Sequence, residues 1–317
     1  MGRASTLASW LHRLLPGRGS DARIGRIGAG ILVGFVLVAL FAPVLAPHDP
    51  RAQTGLPYKA PSASHLLGTN DIGQDILSEL IFGARVSLAI GFLAALLAIV
   101  VGGLLGVIAG FFGGWIDSLL MRLVDATLAL PFLPLLIVLA VFLGRSLATT
   151  ILVIGLVIWA RPARIVRSQV LSIRQRGFVE AARAMGAHPR HVLTQHIGPA
   201  ATPLIIAQFV RAANIAILLE ASLSFLGLGD PTTKSWGTIL YYATARNAFL
   251  TRAWLWWVLP TGLAISTVIV GFAFVGYALE ARFDPRLRSQ RIPALANAGV
   301  ADERLLTAAS GTDRTPE

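Results

Sequence analysis

Residues 90–112 form an unbroken run of 23 positions without a charged side chain. At ~1.5 Å of rise per residue, a helix of that length crosses the ~30 Å hydrocarbon core of a bilayer. The rest of the chain agrees: 55% of residues are hydrophobic, 14% are charged and mean hydropathy is +0.69. The apolar segments lack the alternation of a barrel strand, and backbone groups in lipid must bond internally, so the expected class is all-α and polytopic.

Six apolar segments are expected. The first covers residues 27–47 and is longer than the ~7–15-residue apolar core of a signal peptide, which favours an uncleaved span. The second covers 86–112 and carries Gly102, Gly106 and Gly110 at four-residue spacing. That spacing suits either a ridge where another helix approaches closely or incidental membrane glycines. The third, 117–143, holds Arg122 and Asp125 near its start and Pro131 and Pro134 inside. Arg122 and Asp125 share one helix face and can pair. The fourth, 147–160, is short. The fifth, 200–229, is interrupted by Arg211 and Glu220, and the sixth, 253–279, opens with Trp254, Trp256 and Trp257, as an interfacial belt would. Residues 1–26 are basic, with Leu7, Trp10, Leu11, Leu14 and Leu15 at helical spacing; a helix on the membrane surface and an unstructured tail both satisfy this pattern. Residues 292–317 show no periodicity and are expected to be disordered.

The net charge of +11 comes from 25 Arg and two Lys that cluster by segment. Without aromatic-studded basic stripes it does not indicate nucleic acid. Arg161, Arg164, Arg167, Arg174, Arg176, Arg183 and Arg190 crowd residues 161–199 against one acid, Glu180, while the alternate loops are poorer in Arg. The positive-inside rule then places both termini and residues 161–199 in the cytoplasm.

Several chemistries are excluded. With no Cys there is no disulfide, iron–sulfur cluster or thiol nucleophile. No Gly-Lys dipeptide occurs, so there is no phosphate-cradling Walker loop, and no HExxH occurs on any segment. All six His lie outside the apolar segments, and no Ser/His or Ser/Lys pair sits at membrane depth. The chain is not expected to be an enzyme. Asp125, Arg211 and Glu220 are the charged candidates for a translocation path; an ion pair or an interfacial position explains Arg211 and Glu220 equally well, and Asp125, with Arg122, is better explained as marking the cytoplasmic end of the third span.

Residues 176–199, "RGFVEAARAMGAHPRHVLTQHIGP", are the most informative polar stretch. "FVEAARAM" reads as a short helix, Gly186 as its left-handed stop, and His188-Pro189 as the start of a second helix that runs into the fifth span. Phe178, Ala182 and Met185 form an apolar stripe that nothing within the segment covers, and Ala181 and Ala182 leave room for another surface. A docking partner and a fold-back onto the chain's own helices are both compatible with this.

From Glu180 to Pro199 this stretch resembles the EAA signature of ABC-importer permeases, with Glu180, Ala181, Ala182, Gly186 and Pro199 at matching positions. Gly198 replaces the usual Leu, and His196 occupies the Ile position with Ile197 one later. Three further blocks resemble the C-type permease of the dipeptide/oligopeptide/nickel importer family. They are "HLLGTNDIGQDILSELIFGARVSLAIG" (65–91), "LLEASLSFLGLGDPTTKSWG" (218–237) and "FDPRLR" (283–288). "GTNDIGQD" differs from the family's usual "GTD…GRD", and "GYALEARFDPRLR" from its usual ending.

The resemblance implies a type I ABC-importer permease fold in the bacterial inner membrane, with a six-helix domain over 27–291 between a cytoplasmic N-terminal segment (1–26) and a cytoplasmic tail (292–317). It implies a second, B-type permease, two cytoplasmic ATPase subunits and an extracytoplasmic binding protein as partners. ATP and Mg²⁺ would be held by the ATPases, and this chain would need no cofactor. Residues 180–186, with Phe178 and Pro199 beside them, would be the ATPase-coupling segment. Peptides are the expected cargo; nickel chelates, glutathione and other small solutes are alternatives within the family. Outside it stand a gradient-driven transporter, which needs a midplane ion site, and an assembly subunit with no path.

Overall fold

The computed structural model describes residues 20–283. The expected surface helix around Leu7–Leu15, most of the "FDPRLR" block and the expected disordered tail lie outside the described residues.

The described chain is helical. α1 is Ser20–Leu40 and α2 is Ala42–Leu45. α3, Ile76–Phe112, starts ten residues before the apolar span because Asp75 caps it, accepting from the Ser78 N–H at 2.9 Å. α4 is Gly114–Ala129, α5 Phe132–Leu143, α6 Leu147–Ile158 and α7 Ala160–Arg174. The short α8 is Gly177–Ala184. α9 runs from Pro189 to Phe225, α10 is Trp236–Ala245, and α11 is Trp254–Phe283.

Four of these helices (α1, α3, α9 and α11) are each long and apolar enough to cross a bilayer, and two bent pairs, α4 with α5 and α6 with α7, bring the number to six if each pair is one span. α3 is the central post: α7, α6 and α9 pack along it, and α1 lies along α11 on the other side. Large apolar side chains such as Phe92, Leu96, Leu104, Leu259 and Leu263 face outward, as lipid-facing positions require.

Two sequence expectations need correction. The third segment is not one helix: α4 and α5 meet at a bend of 91°. Leu130 precedes Pro131 and is extended (ψ 137°), because the proline ring crowds the preceding residue out of the helical region. Pro134 falls in the first turn of α5, where its missing N–H costs nothing. The second correction concerns residues 161–174, expected as loop. They are helix α7, bent by 44° from α6. Ala160, Ala163, Val166, Val170 and Ile173 recur at helical spacing and are all fully buried, while the arginines lie between them.

What they bury against is the glycine ridge of α3. A Cβ on Gly102 would stand 2.3 Å from the Trp159 carbonyl oxygen, and one on Gly106 2.5 Å from that of Ala163. The ridge reading of the glycine spacing is therefore the correct one. α4 is tied to the same helix by ion pairs. Arg167 grips Asp117 through two nitrogens, with Nη2 to Oδ2 at 2.5 Å, and Arg164 pairs with Asp125. Arg122 is exposed, so the expected Arg122–Asp125 pair gives way to a tie between helices.

Candidate functional site: the 177–199 hairpin, the interhelical cavity and the loop cap

The hairpin is built as a rigid unit. α8 ends in a Schellman turn: the Ala187 N–H donates to the Ala182 carbonyl at 3.0 Å and the Gly186 N–H to that of Arg183 at 2.9 Å. Gly186 has φ +80°, with open space around it. His188 then caps the next helix through its ring, accepting from the Arg190 N–H at 3.3 Å, and Pro189 opens α9.

Over residues 192–197 the bonding widens to a π-helical turn, where the Gly198 N–H reaches the Leu193 carbonyl. Pro199 explains the slip, because it has no N–H for the Gln195 carbonyl and its ring would crowd that oxygen. Val179 is buried in a cluster with Phe111, Val170, Ile173, Val192 and Ile197, and Ala182, on the same helix, is also buried. Burying one such valine stabilises by about 1.5–3 kcal/mol. The Arg183 guanidinium lies over the Phe111 ring, 5.0 Å from its centroid, pinning α8 to the end of α3.

This arrangement splits the apolar stripe expected from the sequence. Ala182 turns inward, while Phe178 (47% exposed) and Met185 (82% exposed) face out. Glu180, Ala181, Gly186 and Pro199 are exposed beside them, and Glu180 makes no ion pair among the described residues.

The three charged path candidates part company. A cavity of about 520 Å³ opens where the α4–α5 bend faces α6, α7 and α9. Its polar lining is Thr127, Arg161, Gln208, Arg211 and Asn214 among apolar side chains. Arg211 is thus the one candidate in the lining, and it also pairs with Glu280 of α11. Asp125 belongs to the α4–α7 tie. Glu220 is completely buried away from the cavity; it accepts from Ser87 Oγ at 3.0 Å and Ser224 Oγ at 2.9 Å, and the Trp236 N–H donates to the same Ser87 oxygen at 3.1 Å. It clamps α3, α9 and the start of α10 together.

Sequence reasoning missed the cap at the end of the bundle opposite the hairpin, where residues 47–75 and 226–253 interlock. Buried Glu79 accepts from Asn70 Nδ2 at 2.8 Å and pairs with Lys234, which also donates to Gln74. Asp71 pairs with Arg246 at 3.2 Å, and the Tyr58 hydroxyl donates to the Arg246 carbonyl at 2.8 Å. Asp230 receives the Leu147 N–H at 3.1 Å and the Thr232 N–H at 2.7 Å. Burial works against its ionised form, yet these bonds hold its carboxyl below the usual range. Part of the signal was present, since the blocks at 65–91 and 218–237 supply Asn70, Asp71, Gln74, Glu79, Asp230 and Lys234.

Comparison with known proteins gives this geometry its context. Residues 102–289, more than half the chain, match the model of the binding-protein-dependent transport system inner membrane component family. The chain belongs to that family. Residues 22–62 also match the N-terminal TM domain of oligopeptide transport permease C. The dipeptide transport system permease protein of Alkalihalophilus pseudofirmus is 37% identical over 84% of this chain and 87% of its own length. The oligopeptide transport system permease protein of Bacillus subtilis is 36% identical over 89% and 92%. The glutathione transport system permease protein of Pectobacterium atrosepticum is 32% identical over 83% and 87%. This binding-protein-dependent transport component is accordingly a multi-pass membrane permease subunit of the ABC-importer class, and not an enzyme.

Proposed function

We propose that this chain forms half of the membrane path of an ATP-driven peptide importer, working beside a second, B-type permease. The segment 177–199 seats in a cytoplasmic ATPase, one of two, and an extracytoplasmic binding protein delivers cargo to the opposite, capped face. The termini and the hairpin then lie in the cytoplasm, in keeping with the arginine bias. ATP and Mg²⁺ belong to the ATPases. Relatives named for dipeptides, oligopeptides and glutathione, itself a tripeptide, support peptides as the cargo class.

The observation that carries this reading is the hairpin: its inner face is locked into the bundle while Phe178 and Met185 stand exposed on a unit continuous with a spanning helix. Such a unit passes on a push instead of absorbing it. The test uses the complex reconstituted in liposomes. Phe178→Asp with Met185→Glu should leave the melting temperature of the isolated chain unchanged, since both side chains are exposed. Peptide uptake should fall at least tenfold and the ATPases should no longer co-purify. Gly186→Val should uncouple as well, because a β-branched residue at φ +80° costs about 1–2 kcal/mol, whereas Gly186→Asn should be tolerated. Full uptake with retained ATPases in the Phe178/Met185 double variant would refute the docking role.

In the cavity, Arg211 offers a guanidinium to peptide carboxylates or carbonyls. Arg211→Met should lower uptake about tenfold while the ATPases stay bound, and Glu280, half exposed, should tolerate the loss of its partner. Undiminished uptake would remove Arg211 from the path.

A further inference from the structure

We infer that His48, His65 and Asp75 form a binding site for a divalent first-row metal ion of the zinc class. One ligand atom from each residue lies within 4.8 Å of the other two. His65 Nδ1 is 3.0 Å from Asp75 Oδ1, and His48 Nδ1 is 3.9 Å from Asp75 Oδ2. His65 and Asp75 are buried, at 3% and 0% exposure. Imidazole nitrogen with carboxylate oxygen is a donor set that zinc takes, as three protein ligands with a fourth position open.

A second observation points the same way. His48 Nδ1 is buried and has no hydrogen-bond partner. An unmatched buried polar nitrogen costs about 1–3 kcal/mol, and a metal ion removes that cost by using the lone pair.

The three ligands come from separate stretches of the chain, and His48 and Asp75 are both held by Ser78. The His48 N–H donates to Ser78 Oγ at 3.1 Å. Asp75 Oδ2 is occupied by the Ser78 N–H at 2.9 Å and Oγ at 2.7 Å, which leaves Oδ1 to act as a single-oxygen ligand. The backbone of His65 closes a turn with Ser62, the Ser62 N–H donating to the His65 carbonyl at 2.8 Å. In a tetrahedral zinc site neighbouring donor atoms stand about 3.4 Å apart. His65 and Asp75, at 3.0 Å, stand slightly closer than that. His48, on the loop after α2 and the most exposed of the three, needs to move in by roughly 1 Å, and the ion then takes the place of the proton between His65 and Asp75. Such an ion would staple the segment after the first span to the start of α3.

The experiment uses the full chain in its assembled complex, purified with a tag free of histidine and titrated with ZnCl₂. The parent should retain one more zinc per chain after desalting than His48→Ala, which should bind that ion at least 30-fold more weakly. Substituting Co²⁺ should give tetrahedral d–d bands in the parent and none in His48→Ala. Metal-free His48→Ala should melt no lower than the metal-free parent, because it removes the unpartnered nitrogen, whereas zinc should raise the melting temperature of the parent alone. His65→Asn, whose amide still donates to Asp75, serves as a second variant, and it too should lose the ion. Equal zinc retention in parent and variants, or a parent that retains none at neutral pH, would overturn the site.

Discussion

Gly106→Leu should abolish accumulation of folded protein, whereas Gly103→Ala, one turn away, should be close to silent. The contrast is geometric. Any Cβ on Gly106 meets the Ala163 carbonyl oxygen at 2.5 Å, and that oxygen belongs to a helix backbone that cannot rotate aside, while a Cβ on Gly103 meets nothing within 4 Å. Gly106→Ala already forces α3 and α7 apart, and Leu forces them further. Lipid exerts no hydrophobic pull that would close the gap, because acyl chains are as apolar as the side chains they replace. The loss is also not local. α7 carries the Arg167–Asp117 and Arg164–Asp125 ties, and its last turns supply Val170 and Ile173 to the seat of the hairpin. A detergent-extracted Gly106→Leu sample should show at least a tenfold smaller monodisperse peak on fluorescence-detected size exclusion, and Gly103→Ala should match the parent. Equal peaks for both would mean that the helices do not approach as described.

The second large effect is expected at Lys234. Lys234→Met leaves Glu79, 2% exposed, without its cation, and Asn70 Nδ2 alone cannot balance a buried carboxylate. Removing one member of such a pair typically costs about 3–5 kcal/mol. The partial exposure of Lys234 puts this case near the lower figure. The melting temperature should drop by several degrees, and the double variant Glu79→Gln with Lys234→Met should recover most of the loss, since the amide needs no counter-charge. A double variant as unstable as Lys234→Met would show that packing of the lysine stem, and not charge, is what the cap requires.

What the sequence revealed and what it hid follow from the reach of each signal. Spans show through local hydropathy, and the hairpin through local turn chemistry: Gly186 takes the left-handed position and Pro189 the first turn, as their side chains dictate. α7 was hidden because its arginines outweigh its alanines and valines in a hydropathy reading, although Ala160, Ala163, Val166, Val170 and Ile173 keep the helical period. Pro131 was visible, but whether a proline kinks or breaks a span depends on whether neighbours replace the lost bond. The inward turn of α8 depends on Val179 finding Phe111, Val170 and Ile173, which lie outside the segment. Glu220 and Ser87 lie on different helices 133 residues apart, and the histidine–aspartate cluster joins positions 48, 65 and 75 only after folding.

α9 holds one more consequence. At ~1.5 Å per residue its 37 residues make a rod about 55 Å long. Near its far end, Glu220 bolts it to Ser87 of α3; near its foot, the π-helical turn and Pro199 leave carbonyls less tightly held. In the proposed coupling, the fulcrum would then be Glu220. A swing of only ~10° about that point carries the foot through about 8 Å and displaces Arg211, much nearer the pivot, by a few ångströms.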